Sequence, residues 1–151
     1  MSEMNEIAKA KMKIIEPKII AVDFDGTCVT HAYPEVGKEI GAVFVLWKLQ
    51  EHGHKLILST MRSHKPVNDL FDRGPIVDAI KWFYNNGIKL WAVNENPNQS
   101  NWTTSPKIYA HLYIGDDALG CPIKFDSSIS ERPFVDWKEV ERLLKAKNYI
   151  K

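Results

Sequence analysis

The sequence has few cysteines, almost no excess charge and no long apolar run. Its 151 residues include two cysteines, Cys28 and Cys121, which argues against a disulfide framework and fits a reducing compartment. Lysine and arginine number 20 against 19 for aspartate and glutamate, a balance that argues against a strongly electrostatic nucleic-acid or membrane binder. The longest apolar runs, such as Ile19–Val22 and Val43–Trp47, are far shorter than the roughly 20 residues that span a bilayer.

The N-terminal residues 1–16 contain glutamates and lysines but no apolar core, so they predict a flexible polar arm rather than a secretory signal. The remaining residues, 17–151, have the usual length of a single domain with one core. Because 44% of the residues are hydrophobic, disorder is excluded as a description of the whole chain. We therefore expect one cytoplasmic domain that has no membrane partner.

Short apolar runs alternate with helical patterns along the chain, which is typical of a parallel sheet with helical crossovers. The predicted strands are 18–24, 55–59, 89–93, 111–114 and a short fifth one at 122–125. The predicted fold is a Rossmann-like three-layer α/β/α sandwich with a central, mostly parallel sheet and no separate cap domain.

Three helices complete this pattern. The first is predicted over 38–52, with Ile40, Val43, Phe44 and Trp47 at i, i+3, i+4 and i+7 on its buried face. The second is predicted over 75–86 with Pro75 in its first turn. The third begins at Asp136, and Glu139 three residues later is typical of a capping box.

Polar side chains follow each of the first four predicted strands, at the edge where open α/β sheets bind ligands. In chain order these residues are Asp23, Asp25, Gly26 and Thr27, then Ser59, Thr60 and Arg62, then Asn94 and Glu95, and finally Gly115, Asp116 and Asp117. Several carboxylates at one edge repel one another and need a cation. Oxygen ligands favour a hard divalent ion, with Mg²⁺ the usual choice when a phosphate is the substrate. Such an ion leaves one carboxylate available as a nucleophile.

These residues resemble a known family. Asp23-Phe24-Asp25-Gly26-Thr27 is similar to the DxDGT signature of the haloacid dehalogenase-like superfamily, and the other signatures follow in the family's order: Thr60, Lys107 and the Gly115-Asp116-Asp117 run. The resemblance covers residues 18 to 125. The segment Asp25–Pro34 (DGTCVTHAYP) is similar to a DGTxVxHxYP stretch of small bacterial members.

The resemblance implies a Mg²⁺-dependent phosphatase that hydrolyses a phosphomonoester. Asp23 is then the nucleophile, and Asp25 protonates the leaving oxygen and later activates water. Lys107 neutralises the phosphoryl charge. The metal ligands are Asp23, the backbone carbonyl of Asp25, and Asp116 with Asp117, between which the direct ligand stays open.

The resemblance also implies a set of residues around the phosphate. Thr60 and the neighbouring amides, including that of Met61, would hold the phosphate oxygens, and Arg62 would face the leaving group. His31 lies in the flap, the loop that follows the DxDGT signature, and is expected to touch substrate. The expected substrate-binding residues are Gly26, Thr27, Thr60, Met61, Arg62 and His31.

The intervals between Asp25, Thr60 and Lys107 are too short for an inserted cap domain, so the chain resembles the capless members. We expect a phosphorylated substrate of undetermined size in an open site, or a lid supplied by a homo-oligomer, with a nucleic-acid partner disfavoured by the charge. Two alternatives stay open: a phosphoryl-accepting signalling module and a non-catalytic phosphate- or metal-binding protein.

Overall fold

The structure is a computed structural model that describes residues 14–67 and 73–151. Most of the predicted N-terminal arm, residues 1–13, therefore lies outside the described residues. Four strands form an all-parallel sheet in the order β3-β2-β1-β4. Their bounds are Ile19–Val22 for β1, Lys55–Leu58 for β2, Leu90–Val93 for β3 and Leu112–Ile114 for β4.

Three helices flank this sheet: α1 is Ala42–Glu51, α2 is Pro75–Asn85 and α3 is Trp137–Ala146. The central strand β1 and its neighbour β2 are buried because helices cover the sheet, which explains their uninterrupted apolar sequences. Phe24, directly after β1, packs its ring against Trp82 and Phe83 of α2. The architecture confirms the predicted Rossmann-like three-layer fold.

The buried face of α1 differs from the prediction. The helix begins at Ala42 rather than Lys38, and its buried residues are Ala42, Val45, Leu46 and Leu49. Phe44 and Trp47, predicted to face the core, are 59% and 46% exposed. Both sets have helical spacing, and the smaller aliphatic side chains are the ones that pack against the sheet.

The chain after β4 forms a small second sheet. The strand β5, Ile123–Lys124, pairs antiparallel with β6, Phe134–Val135, so the predicted fifth strand does not extend the main sheet. The strand β6 was not predicted, because two residues are too few to show the alternation of apolar and polar side chains that marks a strand.

The Asp136 carboxylate accepts a hydrogen bond from the Glu139 amide, which confirms the first half of the predicted capping box of α3. The second half is absent, because the Asp136 amide donates to the Pro122 carbonyl and the Glu139 carboxylate pairs with Arg142. None of the described helices combines the length and apolar character needed to cross a bilayer.

Candidate functional site

Three carboxylates meet where two neighbouring strands end. Asp23 follows β1, and Asp116 and Asp117 follow β4, which pairs with β1 in parallel through Val22 and Ile114. The register is continued by the Asp23 amide, which donates to the Ile114 carbonyl at 3.0 Å. Each of the three acids offers a carboxylate oxygen within 4.8 Å of the other two. We call these three residues the acidic cluster.

Two side chains from the loop after β1 fix the buried part of this cluster. The Thr27 hydroxyl, which is fully buried, donates to Asp23 Oδ2 at 2.9 Å and accepts from the Asp116 amide at 3.0 Å. His31 Nε2 lies 2.8 Å from Asp116 Oδ2. Thr27 and His31 were predicted to touch substrate; the structure instead brings both onto the carboxylates.

Two glycines make room for these contacts. Gly26 has a φ of 75°, and a Cβ there would overlap His31 Nε2 and Asp116 Oδ2. A Cβ on Gly115 would lie 3.0 Å from Asp117 Oδ1 and 3.5 Å from Asp23 Cβ. Gly26, predicted to bind substrate, therefore makes room for the His31 ring.

The cluster concentrates negative charge in a partly buried place. The pKa of Asp23 is raised from 3.8 to about 7, chiefly by burial and also by the neighbouring Asp116 carboxylate, against the lowering effects of the Phe24 amide and the Thr27 hydroxyl. A bound cation would reverse this penalty, since it neutralises the charges that repel. The donor set consists of oxygens alone and fits a hard divalent ion such as Mg²⁺.

A cleft of about 350 Å³ opens beside Asp23 and Asp117. The turn after β2 forms its opposite wall, where the Thr60 amide donates to Asn94 Oδ1 at 2.8 Å and the Thr60 hydroxyl accepts from the Arg62 amide at 3.1 Å. The Met61 amide makes no hydrogen bond among the described residues. The cleft is lined by Ala21, Asp23, Ser59, Thr60, Met61, Asn94, Tyr113, Ile114, Gly115, Asp117 and Ala118.

Asp25 and Arg62 form a separate ion pair. Arg62 Nε donates to Asp25 Oδ2 at 2.8 Å and Nη2 donates to Asp25 Oδ1 at 2.7 Å. The guanidinium is 2% exposed and lies over the rings of Phe24 and Tyr33. Arg62 was predicted to face the leaving group, but it is absent from the cleft wall and its charge is already paired. The Asp25 carboxylate is likewise outside the acidic cluster; its predicted metal contact through the backbone carbonyl stays a prediction.

Lys107 is exposed, and its ammonium lies 5.7 Å from the centre of the Tyr113 ring, which lines the cleft. Among the described residues it forms no ion pair with Asp23. Met61 is 97% exposed at the cleft mouth. Tyr113 was not predicted as a cleft residue, because nothing in the sequence distinguishes it from the other residues of its strand.

No family model matches the sequence, and no curated protein matches it either. Among solved structures, a conserved protein from Bacteroides thetaiotaomicron superposes with a TM-score of 0.66 and is 32% identical in sequence. The match covers 87% of this chain and 93% of that one. Identity and coverage of this extent show common descent along nearly the whole chain.

Proposed function

Because this chain belongs to the family of that conserved Bacteroides thetaiotaomicron protein, whose description gives no activity, we propose its function from the site itself. We propose that it is a Mg²⁺-dependent phosphatase, a capless member of the haloacid dehalogenase-like superfamily. It hydrolyses phosphomonoesters through an aspartyl-phosphate on Asp23.

The single observation that supports this most is the acidic cluster at the mouth of a cleft. Three carboxylates from the ends of β1 and β4 lie within 4.8 Å of one another, and burial alone does not favour such an arrangement. Asp23, Asp116 and Asp117 would hold the cation. When bound, Mg²⁺ supplies charge neutralisation that lets an anionic phosphate approach Asp23.

Side chains and amides of the cleft orient the nucleophile and bind the phosphoryl group. Thr27 holds the Asp23 carboxylate in place by its 2.9 Å hydrogen bond, so one oxygen is oriented for in-line attack on phosphorus. The Thr60 hydroxyl and the Met61 amide, on the opposite wall, donate to the phosphoryl oxygens. The Lys107 ammonium lies beside Tyr113, a residue that lines the cleft, and would add positive charge near the transferring group.

In the first transfer an Asp23 oxygen bonds to phosphorus while the bond from phosphorus to the leaving oxygen breaks. Hydrolysis then completes the cycle. Water attacks phosphorus, the bond between phosphorus and the Asp23 oxygen breaks, and inorganic phosphate leaves with Asp23 restored and a proton released to solvent. The cleft is open because nothing in the described chain covers it as a cap domain would. The substrate therefore extends outward into solvent, or a second copy of the chain covers it. With Cys28 and Cys121 both free thiols, we place this activity in the cytoplasm.

The test is release of inorganic phosphate from p-nitrophenyl phosphate with Mg²⁺ and, separately, with a chelator. We expect turnover only with the metal, and we expect Asp23→Asn to reduce it by at least about 10³-fold because the nucleophile is lost. Asp78→Asn on the exposed first turn of α2 is the matched control and retains wild-type turnover.

Three other results would contradict the proposal. A phosphorylated Asp23 that persists without turnover would indicate a signalling module. Binding of Mg²⁺ with neither phosphorylation nor turnover would indicate a non-catalytic binding protein. Turnover that survives Asp23→Asn would show that the nucleophile is a different group.

A further inference from the structure

Lys107 lies on a segment that has no regular secondary structure. Between β3 and β4 the described chain contains one short 3₁₀ helix, Gln99–Asn101, and no α-helix. The residues around Lys107 therefore lack the repeating backbone hydrogen bonds that keep a helix rigid. Lysine is flexible along its four-carbon stem, so its ammonium has a defined position only where its backbone is held. The contacts that hold residues 105–110 consequently decide where this ammonium lies.

The Gln99 side chain holds the backbone on both sides of Lys107. Its Nε2 donates to the Ser105 carbonyl at 3.0 Å and to the Lys107 carbonyl at 2.9 Å. Its Oε1 accepts from the Tyr109 amide at 2.8 Å. A glutamine amide has two N–H donors and one carbonyl, so every polar group of Gln99 is used on this one segment.

The Tyr113 side chain holds the same segment from the cleft. Its hydroxyl donates to the Ile108 carbonyl at 2.6 Å and accepts from the Ala110 amide at 3.1 Å. Its ring lines the cleft, and the centre of that ring lies 5.7 Å from the Lys107 ammonium, which an aromatic ring attracts electrostatically. One side chain therefore contacts both the backbone that follows Lys107 and the ammonium itself.

We propose that Gln99 and Tyr113 are positioning residues that hold the Lys107 ammonium beside the cleft. This rests on the proposed function, in which the ammonium adds positive charge near the transferring phosphoryl group. Such stabilisation requires a charge that is already in place when the transition state forms, and a displacement of about 1 Å can cost about 10²-fold in rate. Gln99 and the Tyr113 hydroxyl act through Lys107, because their partners lie in its segment.

Two single variants remove these contacts. Gln99→Leu removes the side-chain amide without adding a charge, and Tyr113→Phe keeps the ring and removes the hydroxyl. With p-nitrophenyl phosphate and Mg²⁺, we expect each to lower kcat by about tenfold and to change KM by less than about threefold, because the lost interaction is made in the transition state.

Gln50→Leu is the matched control. Gln50 Nε2 donates to the Gly87 carbonyl at 3.1 Å and its Oε1 accepts from the Lys89 amide, so this glutamine also holds a loop, but the loop lies before β3 and does not line the cleft. We expect this variant to retain the wild-type kcat within about twofold.

A double-mutant cycle assigns the effect to Lys107. Lys107→Ala alone should lower kcat by about 10²-fold, as the loss of one group that stabilises transition-state charge typically does. In the Lys107→Ala background, Gln99→Leu and Tyr113→Phe should each lower kcat by less than a further factor of about two, because the group that they position is gone. Equal losses in both backgrounds would overturn the proposal, since a merely structural role lowers kcat whether or not the ammonium is present.

Amide hydrogen exchange checks the contacts without any substrate. The Tyr109 amide should exchange at least about tenfold faster in Gln99→Leu than in the wild type, and the Ala110 amide should do so in Tyr113→Phe. Unchanged exchange at both amides would overturn the proposal. If Gln99→Leu does not fold, Gln99→Glu, which keeps Oε1 but loses the donating Nε2, replaces it in the kinetic cycle.

The outcomes separate this proposal from the function on which it rests. No phosphate release by the wild type would overturn the proposed phosphatase together with the proposal. Turnover that Lys107→Ala leaves unchanged would overturn the proposal and the role of Lys107, but not the phosphatase. Turnover that falls in Lys107→Ala but is unchanged in Gln99→Leu and Tyr113→Phe would overturn the positioning roles alone.

Discussion

Asp23 and Asp25 stand two residues apart at the end of the same strand, yet their charges are balanced in different ways. Asp25 meets a buried guanidinium that contacts both of its oxygens. Asp23 meets two further carboxylates, Asp116 and Asp117, and no cationic side chain forms an ion pair with it among the described residues. Asp25 is thus part of the scaffold, whereas no cationic side chain among the described residues neutralises Asp23.

This difference teaches how to separate structural from functional acids in a single motif. A carboxylate whose partners are all internal stabilises the fold and has little left to offer a ligand. A carboxylate held beside other carboxylates destabilises the fold until a bound cation neutralises the charge. The following predictions test that distinction, in order of decreasing effect.

Breaking the Asp25–Arg62 pair should cost the most stability. We expect Arg62→Met to lower the free energy of unfolding by about 3–5 kcal/mol, because Asp25 loses its partner and three backbone carbonyls lose their donor. Urea denaturation of the purified variant measures this. The double variant Asp25→Asn with Arg62→Met should recover part of the loss, since no unpaired charge then remains. A loss below about 1 kcal/mol for Arg62→Met would contradict the structural role.

Removing the Asp23 charge should have the opposite sign. The folded-state pKa of Asp23 is raised from 3.8 to about 7, so the metal-free protein loses stability as pH rises from about 4 to 7. Asp23→Asn removes this penalty and should stabilise the metal-free protein by about 1–3 kcal/mol near pH 7.5. Denaturation with a chelator, at about pH 4.5 and 7.5, checks it.

The gain from Asp23→Asn should be smaller at pH 4.5, because this pH lies less than one unit above the unfolded-state pKa of 3.8 and only the beginning of the penalty is present there. Adding Mg²⁺ at the higher pH should stabilise the wild type more than the variant. A variant that is less stable than the wild type at both pH values would mean that Asp23 is paired like Asp25.

Loosening the acidic cluster should have the smallest effect of the three. His31 lies 2.8 Å from Asp116 Oδ2, and removing a partner that orients a metal ligand typically weakens binding. We expect His31→Ala to weaken Mg²⁺ affinity by about tenfold, measured by titration calorimetry. His31→Gln, which retains a donor of similar reach, should restore most of it. Equal affinity in the wild type and His31→Ala would show that the contact positions nothing.

The sheet and the acidic cluster could be predicted because their signals are local. Apolar runs mark β1 and β2, and the carboxyl ends of parallel strands necessarily share one edge. The position of Asp23 beside Asp116 and Asp117 follows from that rule once β1 and β4 are neighbours. The assignment of these residues to Mg²⁺ and to catalysis stays a prediction.

The role of Arg62 could not be predicted, because its backbone acceptors come from two segments that are far apart in the sequence. Pro34, Glu35 and Pro75 accept through backbone carbonyls, and a backbone acceptor leaves no trace in side-chain identity. The phase of α1 failed for a related reason. Phe44 and Trp47 were predicted to be buried from their helical spacing, but Leu46 and Leu49 have the same spacing on another face of the helix and are the residues that pack.

The strand order described above also has a consequence for biosynthesis. Asp23 is made early, whereas β4 is the last strand to join the sheet, at its edge, and it alone brings Asp116 and Asp117. Domains fold while the chain leaves the ribosome. A nascent chain from which only β1 to β3 have emerged therefore contains Asp23 without the other two members of the acidic cluster. Under the proposed function, activity therefore requires β4, the last strand of the main sheet, and we expect fragments that end before it to be inactive.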